Sequence, residues 1–286
     1  MTLKMVLKKL LTGLKQMNIN KLENISKSLR REILKMSYEA NKAHISSCLC
    51  IVDIVTYLYW KQMSIKPTNP NWEKRDKFLL SKGHAAPSLY AALAYKGYFP
   101  KEKLKEFGKD NSLLGVHPEF GSLPGIEISA GSLGHGLSIG AGMALAAKIN
   151  KLPNKIYVLI SDAECNEGKV WEAIMFASHH HLNNLFLLID LNGFQALGKT
   201  KDIIKITSLK KSIASFGWNS YEVDGNNLRD IDKLFKKINN KKSENPTAII
   251  CKTIAGKGVG FTENKLEWHY KNLDEKMLNQ ALKELE

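Results

Sequence analysis

The sequence predicts an α/β protein with a mainly parallel central sheet and helices on both faces. Residues 156–160 and 185–189 are short, uniformly apolar segments, a pattern typical of buried strands. Between them lies a helical pattern whose apolar positions share one face: Val170, Ala173, Ile174 and Ala177. A strand–helix–strand unit of this kind closes as a right-handed crossover, which brings the ends of both strands to one edge of the sheet.

The other elements follow from the same periodicities. We expect helices over residues 25–39, 51–60, 85–97 and 228–238, a short helix end over 214–218, and further strands over 75–80, 221–223 and 248–252. Residues 41–48, between the first two helices, are interpreted as a loop of small side chains. A chain of 286 residues can bury a good core. We assign residues 25–286 to one domain that follows a basic extension, residues 1–24.

The composition is that of a soluble globular protein, because 44% of the residues are hydrophobic and 24% are charged. No apolar run approaches the length of a membrane span. The basic, amphipathic N-terminus lacks a clear signal-peptide core and cleavage site, so we interpret it as a surface helix or a disordered extension. The cysteines have no Cys-x-x-Cys spacing and imply no disulfide framework, which favours a reducing cytoplasm. They are Cys48, Cys50, Cys165 and Cys251.

The net charge of +14 raises the question of nucleic-acid binding. The lysines are scattered rather than arranged in a stripe, and no helix-turn-helix, zinc-finger or RNA-binding signature accompanies them. We therefore do not expect nucleic acid to be the main partner. A basic surface instead favours phosphorylated substrates and an anionic cofactor.

Two polar residues stand at the ends of the two central strands. Asp162 follows the first strand and Asn192 the second, 30 residues later. In parallel sheets ligands bind outside the carboxyl ends of the strands, so both side chains can reach one point. A carboxylate, an amide oxygen and backbone carbonyls suit a hard cation such as Mg²⁺. In the alternative interpretation, Asp162 and Glu164 only cap the following helix.

This order of strand, Asp, helix, strand and Asn-Gly resembles the thiamine diphosphate fingerprint, in which Gly-Asp-Gly is followed some thirty residues later by Asn. It is most similar to the N-terminal half of transketolase, and the resemblance implies the thiamine-diphosphate-binding fold. It also implies that Asp162, Asn192 and the carbonyl of Phe194 bind Mg²⁺. Ser161 and Ala163 replace the two glycines. The N–H of Ala163 is expected to meet the diphosphate, with a strain of about 1 kcal/mol if its backbone is left-handed.

Four histidines match positions of transketolase that contact cofactor or substrate. In Ser81-Lys82-Gly83-His84, the resemblance implies that the histidine contacts the diphosphate. His44 matches a substrate-contacting histidine, although Ala43, Ser46 and Ser47 replace glycines around it. His117, in Val-His-Pro-Glu, is expected to face the substrate channel. His269 is expected to contact both cofactor phosphate and substrate, beside Tyr270 where glycine is common. The alternative for His44 is an ordinary capping or core histidine, and the alternative for His84 is a structural histidine.

Two glycine-rich stretches complete the pattern. Residues 131–136, Gly-Ser-Leu-Gly-His-Gly, open a small-residue helix and can present N–H groups to phosphate. The resemblance implies that Gly131, Ser132 and Leu133 lie against the cofactor. Residues 252–259 have the family's Lys-Thr-x-x-Gly-Lys-Gly-Val pattern and lack the Gly-Lys-Ser/Thr ending of a P-loop.

Two further sets of side chains need an interpretation. Glu167 and Glu172 match carboxylates of the transketolase dimer interface, and the alternative is that both are solvated helix charges. The consecutive histidines 179–181 face different directions on a helix, so we interpret them as solvated or capping residues rather than a metal cluster.

The favoured hypothesis is the N-terminal subunit of a two-chain transketolase. With thiamine diphosphate and Mg²⁺, it would transfer a two-carbon ketol unit from a ketose phosphate to an aldose phosphate. The glutamate that activates this cofactor belongs to a second, pyrimidine-binding domain, for which the sequence has no room after Glu286. We therefore expect the partner to be a separate C-terminal transketolase subunit, in a heterotetramer.

Two other hypotheses remain open. The first keeps the fold and cofactor but changes the substrate, as in specialised or sugar-building metabolism. Tyr270 and the altered loop around His44 favour it. The second is a non-catalytic cofactor-binding remnant, which the replaced glycine positions favour: Ala43, Ser46, Ser161 and Ala163.

Overall fold

A five-stranded, wholly parallel sheet forms the centre of the molecule in the computed structural model, which describes residues 17–286. The strand order is β1-β2-β3-β7-β6. The strands are β1 Lys77–Leu80, β2 Ile156–Ser161, β3 Leu185–Leu191, β6 Asn219–Asp224 and β7 Thr247–Lys252. A short antiparallel hairpin, β4 Phe194–Gln195 and β5 Gly198–Lys199, lies apart from the sheet. The predicted fold class is confirmed. Most of the predicted N-terminal extension lies outside the described residues.

Ten α-helices are found in residues 17–286, several of them covering the sheet. They are α1 Ile19–Glu39, α2 Ile45–Leu49, α3 Val52–Tyr57, α4 Ala86–Lys96, α5 Gly136–Ile149, α6 Gly168–His179, α7 Thr200–Ile203, α8 Leu209–Ser215, α9 Leu228–Asn239 and α10 Glu275–Glu284. A π-helical turn, Leu58–Gln62, continues α3, and 3-10 turns occur at Gly83–Ala85, Lys101–Glu106, Ala163–Asn166 and Leu266–His269. No helix in the described part of the chain is both long and apolar enough to cross a membrane.

Two hydrophobic cores lie on opposite faces of the sheet. Side chains alternate along each strand, so Tyr157 and Leu159 of β2 join the core formed with α1, α3, α4 and α9. Val158 and Ile160 join the core formed with α5, α6 and α8. Because both faces are covered, β2 and β3 are apolar up to their carboxyl ends, where Ser161 and Asp190 are the polar exceptions.

The helix α5 lies close against β1 and β2 because it is built from small residues. A Cβ atom on Gly140 would lie 2.4 Å from Cγ2 of Val158, and one on Gly136 would lie 2.4 Å from Cβ of Ser81. This close approach brings the glycine-rich loop that precedes α5 next to the end of β1.

Three predicted segments differ from the structure. Helix α1 begins at Ile19 rather than at residue 25, because the side chain of Asn18 accepts a hydrogen bond from Asn20 N and caps it. The predicted loop 41–48 contains helix α2, whose Ser46 and Ser47 are buried. The predicted helix end over 214–218 is the end of α8, which stops at Ser215.

Candidate active site

The predicted site residues converge at the carboxyl edge of the sheet. Strands β2 and β3 pair so that Ser161 lies opposite Asp190, and Asp162 N donates to Asp190 O at 3.1 Å. Asp162 and Asn192 therefore follow neighbouring strands at the same edge. The loops after β1 and β7 and the start of α2 meet them there. This edge is where ligands of open parallel sheets bind.

Three of the four predicted histidines form one cluster. The ring centroid of His44 lies 5.1 Å from that of His84 and 4.9 Å from that of His269, and the last two are 5.6 Å apart. Backbone contact fixes the arrangement, since His44 N donates to His269 O at 3.1 Å. The hydroxyl of Ser47 lies 3.4 Å from Nδ1 of His269. These residues come from three distant parts of the chain.

The clustered imidazoles are neutral at neutral pH. Burial lowers the pKa of His269 to about 4, and the charges of His44 and Lys82 act in the same direction. Burial also lowers the pKa of His84 well below its ordinary value, and nearby Lys82 adds to this effect. The pKa of His44 is lowered too, first by burial and then by His117 and Lys82. A neutral imidazole has one donor and one acceptor nitrogen, so the cluster can both give and accept hydrogen bonds.

His44 has an unusual backbone conformation and an unpaired ring nitrogen. Its φ of 70° is left-handed, a conformation that costs a residue with a side chain about 1–2 kcal/mol. Its buried Nδ1 atom has no hydrogen-bond partner among the described residues. Buried polar atoms are normally paired, so this atom fits a site completed by a bound polar molecule.

His117 lies on an exposed loop that packs against the glycine-rich segment. Ala130 N donates to Pro118 O at 3.0 Å and joins the two loops. A Cβ on Gly131 would lie 3.5 Å from the His117 ring. The fourth histidine is therefore near the cluster but makes no ring contact with it.

The glycine-rich segment before α5 presents donors toward solvent. The N–H groups of Gly131, Ser132 and Leu133 have no acceptor within residues 17–286. Gly83, in the loop after β1, lies so close that an added Cβ would be 2.7 Å from the carbonyl of Ala130. Unpaired N–H groups at the start of a helix suit a phosphate.

Asp162 is buried and held by several donors. Its Oδ2 atom accepts from Gly193 N at 3.1 Å and from the hydroxyl of Thr200 at 2.8 Å. Burial raises the pKa of Asp162 to about 6, although the hydrogen bond from Thr200 acts the other way. Nearby, Asn192 Oδ1 accepts from Phe194 N at 2.9 Å. The N–H groups of the consecutive residues Gly193 and Phe194 thus hold the side chains of Asp162 and Asn192, respectively.

This donor set fits Mg²⁺, which binds carboxylate, amide and carbonyl oxygens. Within the described range, no group of three or more His, Cys, Asp or Glu residues could hold a metal ion. A site with a single carboxylate therefore relies on neutral oxygens and on oxygens from a bound anion, such as a diphosphate. A cavity of about 450 Å³ adjoins Asp162 and is lined by three lysines, Lys199, Lys201 and Lys205.

The residues that replace the family's glycines are accommodated without strain. Ala163 is not among the described residues with positive φ, so the strain considered for a left-handed alanine does not arise. Ser46 is helical in α2. The N–H of Ala163, expected to meet a diphosphate, instead donates to Asp162 Oδ1 at 3.0 Å. Asp162 therefore caps the 3-10 turn Ala163–Asn166 and not helix α6, whose N-cap residue is Glu167.

Glu164 joins three loops of the site, which the sequence did not reveal. This fully buried carboxylate accepts from the Ser81 hydroxyl, from Gly134 N at 2.8 Å and from Ser161 N at 2.8 Å. Burial raises its pKa, although the hydrogen bonds from Ser81, Gly134 and Ser161 oppose this shift. In the sequence, the one sign of these hydrogen bonds was the presence of serines, Ser81 and Ser161, at the ends of neighbouring strands.

A buried ion pair below the histidines was also missed. Lys82 Nζ lies 2.6 Å from Asp190 Oδ2, and both side chains are at most 1% exposed. Burial lowers the pKa of Lys82, but the attraction of Asp190 outweighs it, so that the pKa is raised overall. The resulting fixed positive charge helps to keep the histidines neutral.

The predicted interface residues lie on an exposed face. Glu167 precedes α6 and pairs with Lys169 at 3.4 Å, and Glu172 is exposed on the same helix. Met175 and Phe176 on α6 are 48% and 40% exposed. The histidines 179–181 lie at the end of this helix and form no metal cluster in the part of the chain that the structure describes.

Comparison with known proteins identifies the family of the chain. The model of the transketolase thiamine diphosphate binding domain matches residues 23–285. The 6-deoxy-6-sulfo-D-fructose transketolase subunit of a Clostridium strain is 38% identical over 265 residues, which cover 93% of this chain and 96% of that subunit. An apulose-4-phosphate transketolase subunit of Phocaeicola vulgatus is 38% identical over 256 residues, which cover 89% of this chain and 90% of that subunit.

A solved structure shows the same architecture. The transketolase of Campylobacter jejuni superposes with a TM-score of 0.89 at 32% identity, over 94% of this chain and 43% of that protein. The chain thus spans less than half of a full-length transketolase. Fold and site define a thiamine-diphosphate-binding α/β domain. The chain belongs to the transketolase family and corresponds to its N-terminal, cofactor-binding part.

Proposed function

We propose that this chain is the N-terminal subunit of a two-chain transketolase. The subunit pair transfers a two-carbon ketol unit from a ketose phosphate to an aldose phosphate. The convergence of three neutral histidines, the open N–H groups of residues 131–133 and the Asp162–Asn192 pair at one sheet edge supports this proposal most strongly.

The cofactor's polar end would be held by groups from every loop of the site. Asp162, Asn192 and the carbonyl of Phe194 would bind Mg²⁺, and His84 and His269 would contact the diphosphate. The N–H groups of residues 131–133 would complete this contact. When bound, thiamine diphosphate supplies the nucleophilic carbon that cleaves the bond beside a ketose carbonyl.

The histidines would act on the substrate's hydroxyl groups. His44, His117 and His269 surround the opening above the sheet edge, and a neutral imidazole can accept a proton from one hydroxyl and return it to another. The other imidazoles would orient the sugar.

A separate pyrimidine-binding subunit is the partner that we infer. Two relatives of nearly the same length are themselves called transketolase subunits, whereas this chain spans 43% of a full-length transketolase. The exposed face of α6, with Glu167, Glu172, Met175 and Phe176, is available for an assembly such as a heterotetramer.

A second candidate keeps the chemistry but changes the sugar. Those two relatives are named for a sulfofructose and for apulose phosphate rather than for common pentose phosphates. Tyr270 is 61% exposed, and its ring lies 5.4 Å from that of His44, so a substrate that reaches His44 would meet this side chain. Ala163 and Ser46 replace glycines without backbone strain. This is an argument against a non-catalytic remnant.

Native mass spectrometry of the chain purified with its natural partners tests the proposal. We expect a stoichiometric second chain together with thiamine diphosphate and Mg²⁺, and ketol transfer when the complex receives a panel of ketose and aldose phosphates. A chain that stays alone and without cofactor, even when both ligands are added, would refute it. Activity only with sugars other than pentose phosphates would favour the second candidate.

A further inference from the structure

We propose that Asp190 is a positioning residue that fixes the orientation of the Asn192 amide, so that its oxygen rather than its nitrogen faces the metal. The inference rests on the proposed function, because it assigns a role toward Mg²⁺. Asp190 itself is not a ligand in this proposal. It acts from below the site through one hydrogen bond.

Asp190 is fully buried and surrounded by donors. Its Oδ2 atom accepts from Lys82 Nζ at 2.6 Å, from Asn192 Nδ2 at 2.9 Å and from the thiol of Cys50 at 3.2 Å. Its Oδ1 atom accepts from the hydroxyl of Thr253. Each oxygen is thus already engaged within the protein.

The two ends of the Asn192 amide are not equivalent in this setting. A carboxylate only accepts hydrogen bonds, so the NH₂ end must face Asp190. On the other side, Phe194 N donates to the amide oxygen at 2.9 Å. Both hydrogen bonds require the same orientation. A reversed amide would place oxygen against oxygen and N–H against N–H, and would present a nitrogen that Mg²⁺ does not bind.

The buried pair with Lys82 explains how a carboxylate can occupy this position. An uncompensated buried charge is strongly destabilising, and the Lys82 ammonium supplies the compensation with side-chain exposures of 1% and 0% for the pair. Asp190 is linked through this pair to the loop that carries His84. The Asp190 carboxylate thus contacts both Asn192, a proposed metal ligand, and Lys82, which belongs to the loop proposed to contact the diphosphate.

The test is the affinity for Mn²⁺ of the full chain in complex with its natural partner, in the presence of thiamine diphosphate, measured by electron paramagnetic resonance. In Asp190→Asn the side chain of residue 190 can donate as well as accept hydrogen bonds, so the orientation of the Asn192 amide is no longer fixed. We expect Mn²⁺ binding to weaken about 10- to 100-fold, the usual effect of losing a group that orients a metal ligand. Asp232→Asn is the matched control. Asp232 is buried, paired with Lys61 at 2.8 Å, and remote from the site on α9.

A second variant distinguishes weaker metal binding from a loss of folding. Lys82→Met with Asp190→Asn removes both buried charges together, and we expect the same weakening in a protein with native circular dichroism. Adding Asn192→Asp to this double variant should restore binding, because both ends of a carboxylate are oxygen. In the unmodified background the same change places two carboxylates together and should weaken binding. Asp190 variants that bind Mn²⁺ as tightly as the unmodified chain would overturn the inference. An unmodified complex that binds no Mn²⁺ would instead overturn the proposed cofactor site, and this inference with it.

Discussion

Gly83 shows how a single missing side chain shapes the site. A Cβ atom at this position would lie 2.7 Å from backbone atoms of Ala130 and 2.8 Å from Gly131 N. These backbone atoms cannot move aside as the end of a flexible side chain can. The loop before α5 must therefore move away if residue 83 is larger, and this displaces the donors that it presents.

We expect Gly83→Ala to lower the free energy of unfolding by about 1–3 kcal/mol, the usual cost of overpacking, and to weaken thiamine diphosphate binding. Urea denaturation and a fluorescence titration with the cofactor measure the two effects. Gly142→Ala is the control, because nothing lies within 4 Å of its added Cβ on helix α5. It should raise stability by up to about 1 kcal/mol through helix propensity. Equal behaviour of the two variants would contradict this account.

The histidine cluster makes stability depend on pH in a defined direction. Burial, with help from His44 and Lys82, lowers the pKa of His269 to about 4, whereas an unfolded histidine titrates near about 6.5. Between these values the unfolded chain binds a proton that the folded chain does not. The free energy of unfolding therefore decreases as the pH falls through this window. The lowered pKa values of His44 and His84 act in the same sense.

Urea denaturation between about pH 7.5 and about pH 4.5 measures this dependence. His269→Gln removes one titrating group of similar size, so its stability should fall less on acidification than that of the unmodified chain. His179→Gln, an exposed histidine of α6, should leave the dependence unchanged. A His269→Gln profile that coincides with that of the unmodified chain would disprove the assignment.

The sequence revealed some site residues and concealed others for a physical reason. Asp162, Asn192, His84 and His269 were predicted because each stands in a local motif. Lys82 and Asp190 are 108 residues apart, and their pairing depends on the neighbouring positions of β1, β2 and β3. Nothing local distinguishes a buried lysine from a solvated one.

At the scale of elements, the strands were the most predictable. Residues 156–160 of β2 and 185–189 of β3 are all apolar because two cores cover them, and such runs are recognisable in sequence. Helix α2 was missed because Ser46, Ser47 and Cys48 are not strong helix formers. Its helical state depends on burial, which is a property of the assembled fold.

Glu164 connects three elements, and its charge is needed for this. The carboxylate accepts from groups in the loop after β1, in the loop before α5 and at the end of β2. In Glu164→Gln one of the two oxygens becomes an NH₂ group, which faces donors instead of accepting from them. A buried donor left without a partner costs about 1–3 kcal/mol.

We expect Glu164→Gln to lose that amount of stability in urea denaturation and to expose the loop before α5 to faster amide hydrogen exchange. Glu172→Gln on the exposed face of α6 makes the same chemical change at the surface. It should alter stability by less than about 0.5 kcal/mol. If amide exchange near Gly134 is unchanged in Glu164→Gln, the carboxylate does not hold the loop.

At the scale of the whole molecule, the site is open on one side. The described chain supplies groups suited to a diphosphate and a metal, and the family's full-length members are more than twice as long as the region that they share with it. Helix α6 leads from Asp162 and Glu167 to the exposed Met175 and Phe176. The chain thus runs from the proposed metal ligand Asp162 through a 3-10 turn into α6, which carries a surface suited to a partner.

The assembly itself provides the last prediction. Replacing Met175 by Asp places a charge on an apolar surface where a partner would exclude water, and burying an unpaired charge is costly. We expect Met175→Asp to remain folded, with unchanged circular dichroism, but to lose the higher-mass species in size-exclusion chromatography with light scattering. Lys233→Asp introduces the same side chain on α9, which packs on the opposite face of the sheet, and should assemble normally. If Met175→Asp assembles as well as Lys233→Asp does, the partner contacts another surface. Since the proposed metal ligand Asp162 precedes the 3-10 turn that leads into α6, a chain that fails to assemble should also bind thiamine diphosphate more weakly.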